Sequence, residues 1–415
     1  MSEDVYIIGV GMTKFGKFLE KGIKDLTGEA LESVLKDGGL TREDIEAAWF
    51  SNTMWGYYSF QHSIRGQVAL TANGLQKIPI TNVENACASG STALHSAWMS
   101  IKAGLYDCAL AIGAEKVYDA DRVKVMRSFG AGTDVEEMAQ REAAMAAEAE
   151  KRKEQAEKEG TAGEGEKPGG HSVFMDFYAA GARAHMERYG TTQRQLAVIA
   201  AKAHNNSTMN PLAQYTFPQT VEQVMEDRVV SFPLTRAMCA PVGDGAAAAV
   251  VVSENFLKKH PSSRAVKIRA SVLEGGSRGA DNDISERASK KAYEISGIGP
   301  EDVNVLEVHD ATAFGEISQS EALGFCARGE GGPLAESGAT ALDGKIPINT
   351  SGGLISRGHP IGASGLAQIY ELVVQLRGEA GKRQIENHRI AMAENGGGTV
   401  GGGEAAMTIH IMEHM

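Results

Sequence analysis

Four short stretches of this 415-residue chain hold residue types that do chemistry. In "NACASGSTALHSA", Asn85 to Ala97, a cysteine stands between a strand-like run, "IPITNVENA", and a helical one. A thiol at a helix N-terminus feels the positive end of the helix dipole, which lowers its pKa and favours the thiolate. Ala88, Ser89 and Gly90 leave room for a substrate backbone or thioester to come close. Buried cysteine is also common packing material, so from this stretch alone Cys87 is either a nucleophile or a core side chain.

The second stretch, "GGLISRGHPIGASG" (Gly352 to Gly365), holds His359 in a glycine-rich turn with Pro360 fixing the backbone after it. A rigid loop suits a base that must touch a thiol or a carbonyl, whereas the bland alternative is a surface histidine in a tight turn. The third, "LEVHDATAFGEIS", sets His309 and Asp310 at a strand end, where α/β folds collect their sites; Asp310 could instead cap the next helix. The fourth, "IAMAENGGGTVGGGEAAMTIHI", puts Glu394 and Asn395 after a strand. Gly396 to Gly398 can present bare N–H groups to an anion, or do no more than turn the chain. The set is more telling than its members, because each follows a strand and together they span the whole chain.

The elements that must position these residues come in two copies. "ALESVLKDGGLTREDIEAAWFSN" (Ala30 to Asn52) reads as helix, glycine stop, short turn and strand, and "ASKKAYEISGIGPEDVNVLEVHD" (Ala288 to Asp310) repeats that order. "SGSTALHSAWMSIKAG" and "GASGLAQIYELVVQL" both open amphipathic helices from small residues, while "DGAAAAVVVSE" and "GGGEAAMTIHIME" both end in apolar strands. The expectation is two homologous α/β halves, residues 1–117 plus 233–262 and residues 263–415. Residues 118–232 break the pattern and read as an inserted lid. Within it, "VEEMAQREAAMAAEAEKRKEQAEKEG" is a solvated helix by propensity and "TAGEGEKPGG" a linker by composition.

A net charge of −12 counts against nucleic acid as a main partner. Four widely spaced cysteines without a C-x-x-C pair count against a zinc site or a disulfide framework, so no metal is expected. The N-terminal "MSEDVYIIGVG" lacks the pattern of a signal peptide, and no apolar run is long enough to span a membrane; a cytoplasmic location is expected.

From "VYIIGVGMTKFGKF" to the C-terminus, except for the charged helix and linker at about 134–170, the chain resembles the thiolases, most closely the sterol-carrier-protein-X type and its bacterial relatives. The motifs that carry the resemblance are the nucleophile segment at Cys87, "VHDATAFGEISQSEALGFCARGEGG", "NTSGGLISRGHPIGASG", and the loop-domain segment "YGTTQRQLAVIAAKAHNNSTMNPLAQY". The likeness implies a five-layered αβαβα fold of two halves, a loop domain inserted in the first, and a dimer or dimer of dimers. It implies that Cys87 takes the acyl group and that His359 activates it and helps bind the thioester oxygen. His309 falls where many thiolases have an Asn that positions a water. The N–H groups of Cys87 and Gly396 would form the oxyanion hole of the acyl-enzyme step. No cofactor is expected to be held permanently; coenzyme A is a co-substrate.

One position departs from the pattern: Glu394 stands where thiolases have a second cysteine, or a histidine in the sterol-carrier branch. A carboxyl raised in pKa by burial could replace it as the base for the α-carbon, or His309 could carry that proton. The stretch "SNTMWGYYSFQHS" offers Trp55, Tyr57, Tyr58 and Phe60 either as an aromatic acyl pocket or as dimer packing. The first option would suit a bulky substrate, as in thiolases that cut benzoylsuccinyl-CoA. Such relatives, and related aldolases, work with a small partner bearing a zinc ribbon and an OB-fold. Three functions follow: a Cys-dependent thiolase, a retro-aldolase with such a partner, or a non-catalytic acyl-CoA-binding subunit. The retained Cys87 and His359 favour the first.

Overall fold

The computed structural model describes residues 4–140, 173–279 and 283–415. Most of the charged run and all of the glycine-rich linker fall outside these residues.

The first half builds β1 (Val5–Met12), β2 (Ala47–Ser51), β3 (Ile80–Val83) and β4 (Cys108–Glu115). A small separate ribbon, β5 (Val229–Ser231) with β6 (Leu234–Thr235), precedes β7 (Gly245–Ser253), and the second half adds β8 (Val266–Gly275), β9 (Val305–Glu307), β10 (Ile390–Val400) and β11 (Gly403–His414). The large strands line up as β3-β2-β4-β7-β1-β8-β11-β10-β9. This order is two sheets of one design joined at an edge. The junction is only two residue pairs, Tyr6↔Lys267 and Ile7↔Val266. Each side runs through two antiparallel steps into a parallel one: β1-β7-β4-β2 in the first half and β8-β11-β10-β9 in the second. A short parallel bridge, Leu306↔Ile348, stands in the second half where β3 stands in the first.

Period-two alternation assigns the layers. On β7, Ala247, Ala249 and Val251 join the central cluster, while Ala246, Ala248 and Val250 join an outer one with Leu26, Leu31 and Val34 of helix Ile23–Gly38. The central cluster also takes Leu94 and Ile101 of helix Ser89–Lys102 and Leu366 and Leu372 of helix Ser364–Leu376. On the far side, Met392, Ile409 and Ile411 pack on Ala288 and Ala292 of helix Ile284–Ser296. The stack is helix, sheet, two helices, sheet, helix: the five-layered αβαβα arrangement. The repeated sequence block is repeated in structure, since helix Ile23–Gly38 stops at Gly39 (φ 64°) and helix Ile284–Ser296 at Gly297 (φ 68°), each leading through a short 3-10 turn into β2 or β9.

The two central helices touch at their N-termini. A Cβ added to Gly365 would fall 2.0 Å from Ser91 Oγ and 2.6 Å from Asn395 Oδ1, so only glycine admits this approach. Between β4 and β7, helices Val173–Tyr189 and Gln193–Ser207 pack through Ala179, Ala182, Leu196 and Ala200 onto Ala313 and Ile317 of helix Ala313–Ala322. Thr192 caps the second of these helices, accepting from Gln195 N–H while the Gln195 side chain accepts from Thr192 N–H.

Candidate active site

Cys87 sits in a 3-10 turn, Ala86–Ala88, directly before helix Ser89–Lys102. Ala86 holds φ at 47°, the left-handed region that costs a non-glycine residue about 1–2 kcal/mol. Ser89 steadies the turn by accepting from Asn85 N–H (2.8 Å) and donating to the Ala86 carbonyl (2.6 Å). The last glycine loop presses on it from the other half: a Cβ on Gly397 would lie 2.2 Å from the Asn85 carbonyl and 2.4 Å from Ala88 N.

His359 Nε2 faces Cys87 Sγ at 3.3 Å. Its Nδ1 lies 2.6 Å from Ser364 Oγ, whose hydroxyl donates to the Pro360 carbonyl at 3.0 Å. With its proton committed there, Ser364 accepts from the imidazole, which places the ring proton on Nδ1 and a lone pair on Nε2, toward sulfur. Burial, with His309 and Arg357 nearby, keeps His359 well below the usual histidine pKa and therefore neutral.

His309 has the opposite tautomer. Ser91 Oγ donates to Asn395 Oδ1 (2.9 Å), so the Asn395 amide donates to His309 Nδ1 (2.9 Å) and Nε2 carries the proton. Burial and Arg357 hold His309 down to about 4. The two rings meet edge to face, centroids 5.3 Å apart, and the three reactive atoms of Cys87, His309 and His359 lie within 4.8 Å of one another. That spacing would admit a metal ion, but a protonated Nε2 on His309 is a hydrogen-bond donor, not a ligand.

The dipole expectation for Cys87 is overridden. Burial, with Glu404, Glu115 and Glu84 nearby, pushes the thiol up to about 12, so the resting group is a thiol. Glu115, fully buried, is itself raised to about 6 by desolvation. It holds the neighbouring loops by accepting from Thr53 N–H, Met54 N–H and Gly362 N–H, each at 3.0 Å.

Glu394 is fully buried, and its Oε2 accepts from the backbone N–H of His309 at 2.8 Å, while Oε1 has no hydrogen-bond partner. Burial and the charge of Glu404 raise it well above the usual carboxyl range. Asp310 does not simply cap the next helix: it accepts from Leu354 N–H (2.6 Å) and so ties the His309 strand to the loop of His359.

Cys87, His309, His359 and Gly396 line one cavity of about 610 Å³. Its aromatic wall is not the expected one. Phe174, Phe177 and Tyr178 from the inserted helix, with Phe129, Tyr215 and Phe314, line it. Trp55, Tyr57, Tyr58 and Phe60 do not. Trp55 packs on the outer cluster, Tyr57 and Phe60 are exposed, and Tyr58 lies behind the wall with its hydroxyl 3.2 Å from Ser128 Oγ. The cause is local: after Thr53 and Met54, which do line the cavity, the short helix Trp55–Ser59 turns its rings outward. Glu404 and Gln319 also reach the cavity; both lie inside the quoted stretches, but neither is singled out there, and in the sequence Glu404 is a lone carboxyl opening an apolar strand.

A thiol facing a neutral imidazole at the mouth of a helix, on a doubled five-layered frame, is an arrangement suited to acyl transfer. Residues 5–231 match the thiolase N-terminal domain family and residues 282–410 the thiolase C-terminal domain-like family. The chain belongs to the thiolase family and is an acyltransferase. It is 37% identical to an acetyl-CoA acetyltransferase of Methanothermobacter thermautotrophicus, over 98% of this chain and 99% of that one. It is 38% identical to sterol carrier protein 2 of Rattus norvegicus, over 98% of this chain and 72% of that one. It is 34% identical to the benzoylsuccinyl-CoA thiolase subunit BbsB of Thauera aromatica, over 96% of each. The solved Ltp2-ChsH2(DUF35) aldolase shares the fold, with a TM-score of 0.75 at 21% identity over 99% of this chain and 98% of that one. Among the described residues no helix is long and apolar enough to cross a membrane.

Proposed function

We propose that the protein cleaves a bulky, aromatic 3-oxoacyl-CoA thiolytically, through an acyl group carried on Cys87. The observation that carries this reading is the 3.3 Å approach of His359 Nε2 to Cys87 Sγ inside an aromatic cavity. On this reading, His359 takes the thiol proton as sulfur attacks the 3-oxo carbon. The developing oxyanion is met by the Nε2–H of His309 and the imidazolium of His359. The C2–C3 bond breaks, the shortened acyl-CoA leaves as its enolate, and a carboxyl at the locus of Glu394 supplies the α-proton. Coenzyme A then lifts the acyl group from Cys87, with the N–H groups of Cys87 and Gly396 as the oxyanion hole. Condensation is the same path reversed.

Two features support the substrate class. The six aromatic rings of the wall exceed what an acetyl group fills, and one relative is named for benzoylsuccinyl-CoA. Arg122, Arg228 and Arg236, all exposed, line the same cavity and suit the phosphates of coenzyme A. We further read the chain as a dimer, with exposed Tyr57, Phe60 and Ile64 as interface residues, working beside a small zinc-ribbon/OB-fold subunit. That relative is itself named as one subunit.

The test is steady-state cleavage of benzoylsuccinyl-CoA against acetoacetyl-CoA, with and without coenzyme A. The reading requires strict dependence on coenzyme A and a preference of at least about tenfold for the aromatic substrate. Cleavage without coenzyme A would favour the retro-aldolase, and a preference for acetoacetyl-CoA would refute the substrate class.

A further inference from the structure

The carboxyl that meets the substrate is not the one at the motif position. Along β10, Ala391 and Ala393 face the central layer and Met392 the outer one. The same period sends Asn395 inward to Ser91 and Glu394 outward, into a fully buried position that does not line the cavity. Glu404, paired across the β10–β11 hairpin with Thr399, does line the cavity, beside Cys87, His309 and His359. Its carboxylate covers the expected oxyanion-hole glycine: a Cβ on Gly396 would fall 2.3 Å from Glu404 Oε1. The Gln319 side chain donates to it from helix Ala313–Ala322.

We propose that Glu404 is the catalytic acid–base for the α-carbon. The proposal rests on the thiolase reading and names the group that reading assigned only to a locus. A base for the α-carbon must touch substrate, and of the two carboxyls only Glu404 lines the cavity. The electrostatics agree. Burial pushes Glu404 up to about 7, and Glu404 is the largest charge acting on Glu394, as for two carboxyls that cannot both ionise.

Protons balance over the cycle. The Cys87 thiol gives its proton to His359 and its sulfur bonds to C3. The C2–C3 electron pair passes to C2, and the Glu404 carboxyl protonates C2 to release the shortened acyl-CoA. The Glu404 carboxylate then takes the thiol proton of coenzyme A, whose sulfur attacks the Cys87 thioester. Cys87 leaves as thiolate beside the His359 imidazolium, and the starting state returns.

The experiment separates the two half-reactions in the full-length enzyme. Benzoyl-CoA, which has no α-proton, reports loading of Cys87 by mass spectrometry, and hydrogen–deuterium exchange at the α-carbon of succinyl-CoA and acetyl-CoA reports the base. Glu404→Gln should lower exchange by at least about a hundredfold while Cys87 still loads, and formate should restore exchange in Glu404→Ala. In the unaltered enzyme, exchange should rise through one ionisation near neutrality, set among Glu394, Asp310, Tyr178, Cys87 and His309, a reading that no folding defect touches. Exchange that persists in Glu404→Gln, or vanishes only in Glu394→Gln, or stays flat across neutral pH, would overturn the proposal. An unaltered enzyme that does not load Cys87 would instead overturn the thiolase reading beneath it.

Discussion

Cys87 and His359, 272 positions apart in the chain, face each other at 3.3 Å. Burial disfavours the charged form of both partners, so the resting pair is thiol and neutral imidazole. On the proposed path, the ion pair forms only as substrate arrives and the oxyanion develops beside it.

This state is open to a direct chemical check. Alkylation of Cys87 by iodoacetamide in the substrate-free enzyme should be slow at pH 7 and still rising above about pH 9, because the thiol is raised and not lowered. A rate that levels off below pH 7 would mean a resting thiolate. Glu404→Gln removes the largest charge that raises the thiol and should speed alkylation at any fixed pH above about 7, where Glu404 is ionised.

The Ser364 hydroxyl fixes the tautomer of His359 through Nδ1. Ser364→Ala should therefore lower kcat by about 10-fold or more with little change in KM, because the ring is present but no longer held. Equal loss in Ser364→Thr, which keeps a hydroxyl, would point to packing instead.

Gly397→Ala tests the contact between the two halves. The added Cβ would strike the Asn85 carbonyl and Ala88 N, so the nucleophile turn must shift. Overpacking of this kind costs about 1–3 kcal/mol, read as a lower Tm, and kcat should fall by more than about 100-fold because Cys87 moves with the turn. Unchanged kinetics would show that the turn does not depend on the loop.

The raised carboxyl of Glu404 also predicts a pH-dependent stability difference. Glu404 rises from 4.5 to about 7 on folding, so the folded state holds its proton more tightly than the unfolded state. Its contribution to stability is therefore lost as pH rises from about 4.5 through about 7. Glu404→Gln should gain Tm relative to the unaltered protein between pH 5 and pH 8, and a difference independent of pH would contradict the assignment.

The layered frame was legible because its signals are local and doubled: glycine stops, alternating strands and two small-residue helix openings recur in each half. Cys87, His309, His359 and Glu394 were legible because motifs mark them. Glu404 and the aromatic wall were not, since their roles come from contacts between segments far apart in sequence. Trp55, Tyr57, Tyr58 and Phe60 attracted notice as a cluster in sequence, yet a five-residue helix turns them away from the cavity. The state of the thiol was illegible for a similar reason. Helix position argues for thiolate, and only the folded chain shows the burial and carboxylates that reverse it.

The central claim is the acyl-enzyme on Cys87. The direct measurement is peptide mass spectrometry of the protein incubated with benzoylsuccinyl-CoA and no coenzyme A. The account predicts an acyl adduct on the Cys87 peptide, discharged by added coenzyme A and absent in Cys87→Ala, which should also lose cleavage. Cleavage that survives Cys87→Ala, with no adduct in the unaltered enzyme, would contradict it.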